Sequence, residues 1–350
     1  MTFLLLFLSG ITMQGGTYIP PNSEYISYSG RFDTHDTTQY VCSFSTSTIQ
    51  IRTNSTYIDA SIYDYAVDSN QPNYIEIIVD NAIYATIKLT KGLQIYRIFE
   101  SDSCAYRTIS IVKRTEGQIG NIGFKGFVIN QHAGIQKIEK SDLRMLFIGN
   151  SITCGYGNEA LHAESPFESA TENAYMSYAA IAARTLNAEY HTISYSGKGV
   201  YRNWADTTIL NDCMPEVFER TFCLRPSPLW NHSLFIPSII VINLGTNDFS
   251  PPIGANKHDF VKYYTAFITR LSTLYPEAQI ICVVSQMLEG ESRKNLHAWL
   301  HEIQKMYTYK NMYVCELSQQ GRVGFGADWH PNIAQNKINA QELVDFIEGN

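Results

Sequence analysis

A change of sequence pattern at residues 137–142 constrains the fold of this chain more than any other feature. Before it, in residues 18–131, short runs rich in Tyr, Ile, Val, Thr and Phe are separated by Asn, Asp, Gly and Ser, which is typical of an all-β sandwich or jelly roll. After it, apolar strand-like runs alternate with helical periodicity, which predicts a parallel sheet wrapped by helices. The length of 350 residues favours two domains, and we predict a β-sandwich at 17–138 and an α/β domain at 139–350.

Individual elements can be predicted within both halves. Asp80-Asn81 separates two strand-like runs and predicts a tight hairpin turn. In the second half we predict strands in five apolar runs and helices near residues 173–186, 259–275, 292–307 and 332–347. The active site of such a sheet lies at the carboxyl ends of the strands, so the residues that follow these runs are the first functional candidates.

Composition and charge argue against two classes of protein. Charged residues make up 17% of the chain and aromatic residues 13%, unlike a disordered acidic or basic tail. The net charge is −7, from 26 basic and 33 acidic residues. The sequence has no long run of basic residues, so it does not indicate the concentrated basic surface that nucleic-acid-binding proteins use. The 23 tyrosines suit half-exposed strands and also sugar-binding surfaces.

The N-terminal residues 2–13 are apolar, but a membrane-spanning helix needs about 20 residues, and no other run is long and apolar enough. The segment resembles the hydrophobic region of a signal peptide, although no Lys or Arg precedes it. We expect residues 1–16 to be a leader and the protein to be secreted or periplasmic. The alternative is that this segment is the first strand of the folded domain.

The seven cysteines show no spacing typical of a metal site. There is no CxxC pair and no Cys/His cluster, so we predict neither a metal nor another cofactor. Cys282 and Cys315 lie in apolar strand-like runs and are expected to be small buried hydrophobic residues. Cys213 and Cys223 could close a short loop in an exported protein, but spacing alone does not establish a disulfide.

Ser151 follows the buried strand-like run RMLFIG, where Gly149 allows a sharp turn of the backbone. This position suits a nucleophile at the end of a parallel strand. The segment alone is equally compatible with a strand–turn–helix corner in which Ser151 is a helix cap. The segment does not contain the G-x-S-x-G elbow of the α/β-hydrolases, so that fold is not supported.

Two further segments provide groups that suit acyl transfer. Asn247 follows the strand-like run SIIVINLG, and a side-chain amide at this position can donate a hydrogen bond to a developing oxyanion. For the isolated pair Asn247-Asp248, an Asx turn is the simpler explanation. His330 lies just before a predicted helix, and Asp328 is close enough in sequence to bind its Nδ1–H. A lone histidine in this position is more often a capping or packing residue.

Taken in order, the segments GNSIT, GTND and DWHP resemble the motif blocks of the SGNH (GDSL-type) hydrolases. The glycine of the second block is supplied by SGKGVYRN, with Gly197 as the best match and Gly199 as the alternative. The longer segments GNSITCGYGNE, TENAYMSYAAIAARTLNA, SGKGVYRN and GADWHPN are similar to carbohydrate esterase family 2. This resemblance covers nearly the whole chain after the leader, and it implies an N-terminal β-sandwich joined to a flavodoxin-like SGNH domain.

The resemblance also implies a role for each matched residue. Ser151 is expected to be the nucleophile, and His330 the general base and then the general acid. Asp328 is expected to orient His330, although a backbone carbonyl sometimes replaces the third member in this family. The oxyanion hole is expected to consist of the Ser151 and Gly197 backbone N–H groups and the Asn247 side chain.

One position departs from the pattern of the superfamily. Asn150 replaces the usual Asp, which removes a charge beside Ser151 but leaves the nucleophile and base intact. Beside His330, Trp329 could stack on a sugar ring or pack against the closing helix, and Trp204 and Tyr156 are weaker candidates of the same kind.

These features predict a serine esterase that removes O-acetyl groups from plant cell-wall polysaccharides such as xylan and glucomannan, through an acyl-enzyme. One alternative is an SGNH lipase or thioesterase acting on longer acyl chains. Another is a non-catalytic carbohydrate-binding protein, against which the complete set of catalytic residue types argues. The expected partner is an acetylated carbohydrate, and the oligomeric state is left open.

Overall fold

The computed structural model describes residues 15–306 and 311–349. The leader predicted at residues 1–16 falls almost entirely on residues 1–14, outside this description. Within the described ranges, none of the helices combines the length and apolar character that crossing a lipid bilayer requires.

The N-terminal half is a sandwich of two six-stranded antiparallel sheets. Its strands are, in chain order, β1 (Gly16–Ile19), β2 (Ile26–Ser29), β3 (Phe32–Asp33), β4 (Tyr40–Cys42), β5 (Thr48–Thr53), β6 (Tyr57–Ala66), β7 (Tyr74–Val79), β8 (Ala82–Lys88), β9 (Gly92–Glu100), β10 (Arg107–Lys113), β11 (Gly120–Asn130) and β12 (Ile135–Gln136). One sheet has the order β3-β4-β11-β6-β9, with β1 paired to β11. The other has the order β12-β5-β10-β7-β8, with β2 paired to β5.

Alternating side chains fill the space between the two sheets. In β5, Ile49 and Ile51 are buried in the shared core, whereas Gln50 and Arg52 are only partly buried. The predicted hairpin turn joins β7 to β8, and both Asp80 and Asn81 have positive φ (48° and 71°), as a two-residue turn between antiparallel strands requires.

The C-terminal half contains a five-stranded parallel sheet of order β14-β13-β15-β16-β17. Its strands are β13 (Arg144–Gly149), β14 (Glu189–Ser194), β15 (Ile239–Asn243), β16 (Gln279–Val284) and β17 (Met312–Glu316). The helices are α1 (Ser151–Cys154), α2 (Tyr178–Thr185), α3 (Met214–Phe218), α4 (Lys257–Leu274), α5 (Gly290–Met306) and α6 (Ile333–Glu348). The predicted fold class, a β-sandwich followed by an α/β domain with a parallel sheet, is confirmed.

Two apolar cores cover the parallel sheet, one on each face, and they explain the apolar character of its strands. One core contains residues of α4 and α5, and the other contains residues of α2 and α6. The strand order reverses around β13, whose neighbours are β14 and β15. The crevice beyond the carboxyl end of β13 is therefore the topological switch point, where α/β proteins bind their ligands.

The sandwich packs along β14, the edge strand of the parallel sheet. Ser29 Oγ donates to the Tyr190 carbonyl (2.8 Å), and the Thr192 hydroxyl donates to the Ser45 carbonyl (2.6 Å). The guanidinium of Arg31, which is 2% exposed, donates to the carbonyls of Phe218 and Arg220, each at 2.6 Å. Polar groups buried between the domains are thus paired across the interface.

Replacement of Arg31 by Met is expected to destabilise the protein by about 3 kcal/mol, because it leaves two buried carbonyls without their charged donor. Thermal or urea unfolding of the purified variant measures the loss. Arg107→Ala is the matched control, since Arg107 pairs with Asp80 at the surface (3.4 Å) and its removal should cost under about 1 kcal/mol. Equal stability of the two variants would contradict the importance of the Arg31 contacts.

Candidate active site

Ser151 lies at a sharp corner between β13 and α1. Asn150 caps the helix: its Oδ1 accepts from the Ile152 N–H (3.2 Å). Gly149 is required at this turn, because a Cβ there would come within 2.0 Å of Thr153 Oγ1. The predicted corner is therefore present, and it places Ser151 directly beyond the carboxyl end of β13.

His330 reaches Ser151 from the segment that precedes α6. Its Nε2 lies 2.9 Å from Ser151 Oγ, although the two residues are 179 positions apart in the sequence. A nucleophile and a base in hydrogen-bond contact form the arrangement that activates a serine for acyl transfer.

Backbone carbonyls hold the other side of the imidazole. His330 Nδ1 lies 3.1 Å from the carbonyl oxygens of both Ala327 and Asp328. Because a carbonyl only accepts hydrogen bonds, we assign the ring proton to Nδ1, which leaves Nε2 free to accept the proton of Ser151. The two carbonyls therefore select the tautomer that a general base needs.

We expected the carboxylate of Asp328 to bind His330 Nδ1, but it does not contact that atom. Instead it accepts a hydrogen bond from Tyr156 Oη (2.8 Å). Asp328 and Trp329 both have positive φ (46° and 54°), and in this turn the Asp328 carbonyl, rather than its side chain, faces the imidazole. The backbone alternative considered for the third member is the one that the structure contains.

Burial lowers the pKa of His330 to about 4, and the carbonyl hydrogen bonds and the charge of Asp328 offset only part of this effect. Tyr156 contributes to the burial, since its ring stacks on the imidazole with 4.2 Å between centroids. His330 is therefore neutral at pH 7. Sequence reasoning treated Tyr156 only as a possible sugar contact and missed this stacking.

Gly197 and Asn247 lie on the loops that follow β14 and β15, the two neighbours of β13. Among the described residues, the backbone N–H groups of Ser151 and Gly197 donate to no protein acceptor. The Asn247 amide donates one hydrogen to the Lys198 carbonyl (2.8 Å), so its second hydrogen is available. All three groups predicted for the oxyanion hole thus have an N–H left to donate.

The structure distinguishes Gly197 from Gly199. The N–H of Gly199 donates to Asn203 Oδ1 (3.3 Å), and a Cβ at Gly199 would come within 2.6 Å of the Asp248 carboxylate. That carboxylate accepts from the backbone N–H groups of the next residues, beginning with Val200 (3.0 Å). Gly199 therefore allows Asp248 to bind one loop to the other, whereas Gly197 keeps a free donor. Sequence reasoning did not give Asp248 this role.

Two exposed tryptophans lie on segments that carry predicted site residues. Trp329 is 52% exposed and adjoins His330, and Trp204 is 67% exposed. The Trp204 N–H donates to the Gly197 carbonyl (2.8 Å), which places this residue beside the loop of the proposed oxyanion hole. Exposed, flat aromatic rings of this kind suit stacking against a sugar ring.

All seven cysteines are free thiols, so Cys213 and Cys223 do not form the short loop that was considered. In the described part of the chain, one group of side chains could hold a metal ion, namely Glu116, Cys154 and Glu172. Neither Ser151 nor His330 belongs to this group.

Two family models match the chain. Residues 28–138 match the carbohydrate esterase 2 N-terminal model, and residues 147–332 match the GDSL-like lipase/acylhydrolase family, the latter covering more than half of the chain. Both matches agree with the resemblance found in the sequence motifs.

Similar proteins and structures include esterases. A solved structure of a family two carbohydrate esterase from Clostridium thermocellum in complex with cellohexaose has 31% identity and a TM-score of 0.87, over 93% of this chain and 98% of that one. The cellulase/esterase CelE of Acetivibrio thermocellus is 34% identical over 339 residues; the alignment covers 92% of this chain but only 39% of that relative. An acetylxylan esterase/glucomannan deacetylase of Cellvibrio japonicus is 26% identical over 279 residues, covering 79% of this chain and 76% of the relative.

The reactivity of Ser151 should persist to unusually low pH, because His330 must be neutral to act as a base and its pKa is lowered to about 4. The rate of inactivation by phenylmethylsulfonyl fluoride, measured against pH, should fall to half near pH 4. His330→Ala is the control and should remove this reactivity. A midpoint near the ordinary histidine pKa of about 6.5 would contradict the burial argument.

Proposed function

The chain belongs to carbohydrate esterase family 2, and from this membership we propose that it is a serine esterase that removes O-acetyl groups from plant cell-wall polysaccharides such as xylan and glucomannan. The observation on which the proposal depends is the 2.9 Å contact between Ser151 Oγ and His330 Nε2 at the carboxyl edge of the parallel sheet. No metal is required for this chemistry.

In the proposed reaction, His330 Nε2 takes the proton of Ser151 as Oγ attacks the acetyl carbonyl. The N–H groups of Ser151 and Gly197 and the Asn247 amide stabilise the oxyanion of the tetrahedral intermediate. When the intermediate collapses, the imidazolium of His330 gives its proton to the departing sugar hydroxyl, and Ser151 carries the acetyl group. A water molecule, deprotonated by His330, then attacks this acyl-enzyme, releases acetate and restores Ser151.

The names of the relatives support the substrate class. One relative is named as an acetylxylan esterase and glucomannan deacetylase, and one similar structure is described as a complex with cellohexaose. The exposed rings of Trp204 and Trp329 suit stacking against the sugars of a chain. A polysaccharide of this kind cannot enter a cell, so we propose a secreted or periplasmic location, which fractionation of the native host would test; recovery in the cytosol would contradict it.

Ser151→Ala should reduce acetate release from acetylated xylan by about 10⁴-fold or more, because the acyl-enzyme can no longer form. Ser233→Ala, at an exposed serine outside the site, is the control and should behave as wild type. Activity that survives the Ser151 substitution would refute the assignment of the nucleophile. Glycan binding by wild type without any acetate release would favour the non-catalytic carbohydrate-binding alternative.

A lipase or thioesterase would prefer longer acyl chains than acetate. With 4-nitrophenyl esters from acetate to octanoate, we expect kcat/KM to be highest for acetate and to fall with each lengthening of the chain. A maximum at longer chains would replace the deacetylase proposal with the lipase alternative.

Asp328→Asn should lower kcat/KM for 4-nitrophenyl acetate by less than about 10-fold, because two carbonyls rather than this carboxylate hold His330. The asparagine can still accept the hydrogen bond of Tyr156. In a triad whose histidine depends on the carboxylate, the same change costs about 10⁴-fold. A loss of that size would show that Asp328 orients His330 during catalysis.

A further inference from the structure

One buried carboxylate of the sandwich, that of Glu116, contacts the α/β domain. Glu116 lies between β10 and β11 and is fully buried. Its Oε1 accepts from Ser196 Oγ (2.6 Å), and its Oε2 accepts from the Ser196 backbone N–H (2.9 Å). The same Oε2 lies 3.6 Å from Cys154 Sγ.

These contacts reach both backbone segments that provide the proposed oxyanion donors. Ser196 immediately precedes Gly197, and Cys154 is the last residue of the short helix α1, which begins with Ser151. A single side chain therefore contacts the loop of one donor and the helix of the other. Within the described ranges, Glu116 forms no hydrogen bond with Ser151 or His330.

Hydrogen bonds from neighbouring residues fix the position of Glu116. Its backbone N–H donates to Glu172 Oε2 (2.9 Å), its carbonyl accepts from the buried Lys113 Nζ (3.0 Å), and Gln118 Nε2 donates to its Oε1 (2.7 Å). The neighbouring Gly117 packs so closely that a Cβ would come within 2.3 Å of Cys223 Cβ. The loop that carries Glu116 is thus tightly packed against the α/β domain.

The surrounding charges favour a hydrogen-bonding role over metal binding. Burial and the nearby charge of Glu116 raise the pKa of Glu172. Burial also raises the pKa of the Cys154 thiol above its ordinary value, so the thiol keeps its proton at pH 7. The two oxygens of Glu116 already accept from Ser196 and Gln118. A metal at this group would have to displace the thiol proton and these hydrogen bonds.

We propose that Glu116 is a positioning residue for the esterase reaction: it orients the Ser196–Gly197 backbone so that the Gly197 N–H points at the oxyanion. This inference rests on the proposed function. Without Glu116 the N–H of Ser196 loses its acceptor, and the loop can relax toward another partner. A donor that is displaced but still present should cost less than the ~10²–10³-fold in kcat that follows complete removal of an oxyanion donor.

The experiment compares Glu116→Ala, Glu116→Gln and Ser196→Ala by steady-state kinetics with 4-nitrophenyl acetate. Glu116→Ala should lower kcat by about 10- to 100-fold with little change in KM, because only the transition state needs the aligned donor. Glu116→Gln should recover most of the loss, since its amide oxygen still accepts from the Ser196 N–H. Ser196→Ala keeps the backbone contact and should lose only a few-fold.

A second readout reports the oxyanion site directly. A small alkyl boronic acid forms a tetrahedral adduct with an active-site serine, and its inhibition constant should weaken in Glu116→Ala by about the same factor as kcat. A general loss of stability would not produce this parallel. The matched control is Glu76→Gln, because Glu76 is equally buried at the same interface and pairs with Arg114 (3.0 Å), away from Ser196. Its kcat should stay within twofold of wild type.

The outcomes separate this inference from the proposed function. Failure of wild type to hydrolyse acetyl esters overturns the function. An active wild type together with a folded Glu116→Ala whose kcat and boronate affinity are unchanged overturns only the positioning role. If Glu116→Ala does not fold, Glu116→Met takes its place, because it fills a similar volume without an acceptor for the Ser196 N–H. Wild-type kcat and wild-type boronate affinity in that variant overturn the positioning role as well.

Discussion

The open edge of β14 is the constraint on which the arrangement of this protein depends. An edge strand has backbone groups that need partners, and an uncovered edge invites pairing with other chains. Here the sandwich covers it, with Ser29, Ser45 and Thr46 in hydrogen-bond contact with β14 residues. Since β14 leads directly into the loop of Ser196 and Gly197, the domain that protects the edge also sets the starting point of that loop. The two domains are therefore structurally interdependent around Ser151.

The contact between Ser151 and His330 shows how a histidine can be held without a carboxylate on its second nitrogen. Two carbonyl oxygens at 3.1 Å fix the ring and accept its Nδ1 proton, but they provide dipoles rather than a full negative charge. Burial consequently outweighs them, and the pKa of His330 falls to about 4. Such a base is unprotonated over a wide range of pH, but it is a weaker proton acceptor than an ordinary histidine. In the proposed reaction, the oxyanion donors then contribute more of the stabilisation of the transition state.

Local patterns predicted the elements of the α/β domain well where burial is uniform. The apolar runs assigned to β13 and β16 correspond to Arg144–Gly149 and Gln279–Val284, because strands covered on both faces are apolar along their whole length. The helix expected near 173–186 is divided into a 3₁₀ helix, Ala174–Met176, and α2. Ser177 separates them, and its Oγ caps α2 by accepting from the Ala180 N–H (3.4 Å). Apolar periodicity alone does not reveal a cap inside a helical pattern.

The sequence by itself determined that Ser151 follows a buried strand, that His330 precedes a helix, and that Gly197 and Asn247 follow other strands, because each depends on its near neighbours and on a short motif. Tertiary structure alone decided which group orients His330, since the positive φ of Asp328 and Trp329 turns the carbonyl toward the ring and leaves the carboxylate to Tyr156. It also decided that Glu116 meets Ser196, 80 positions away. No local pattern encodes such a contact, because it exists only once the sandwich has packed against the parallel sheet.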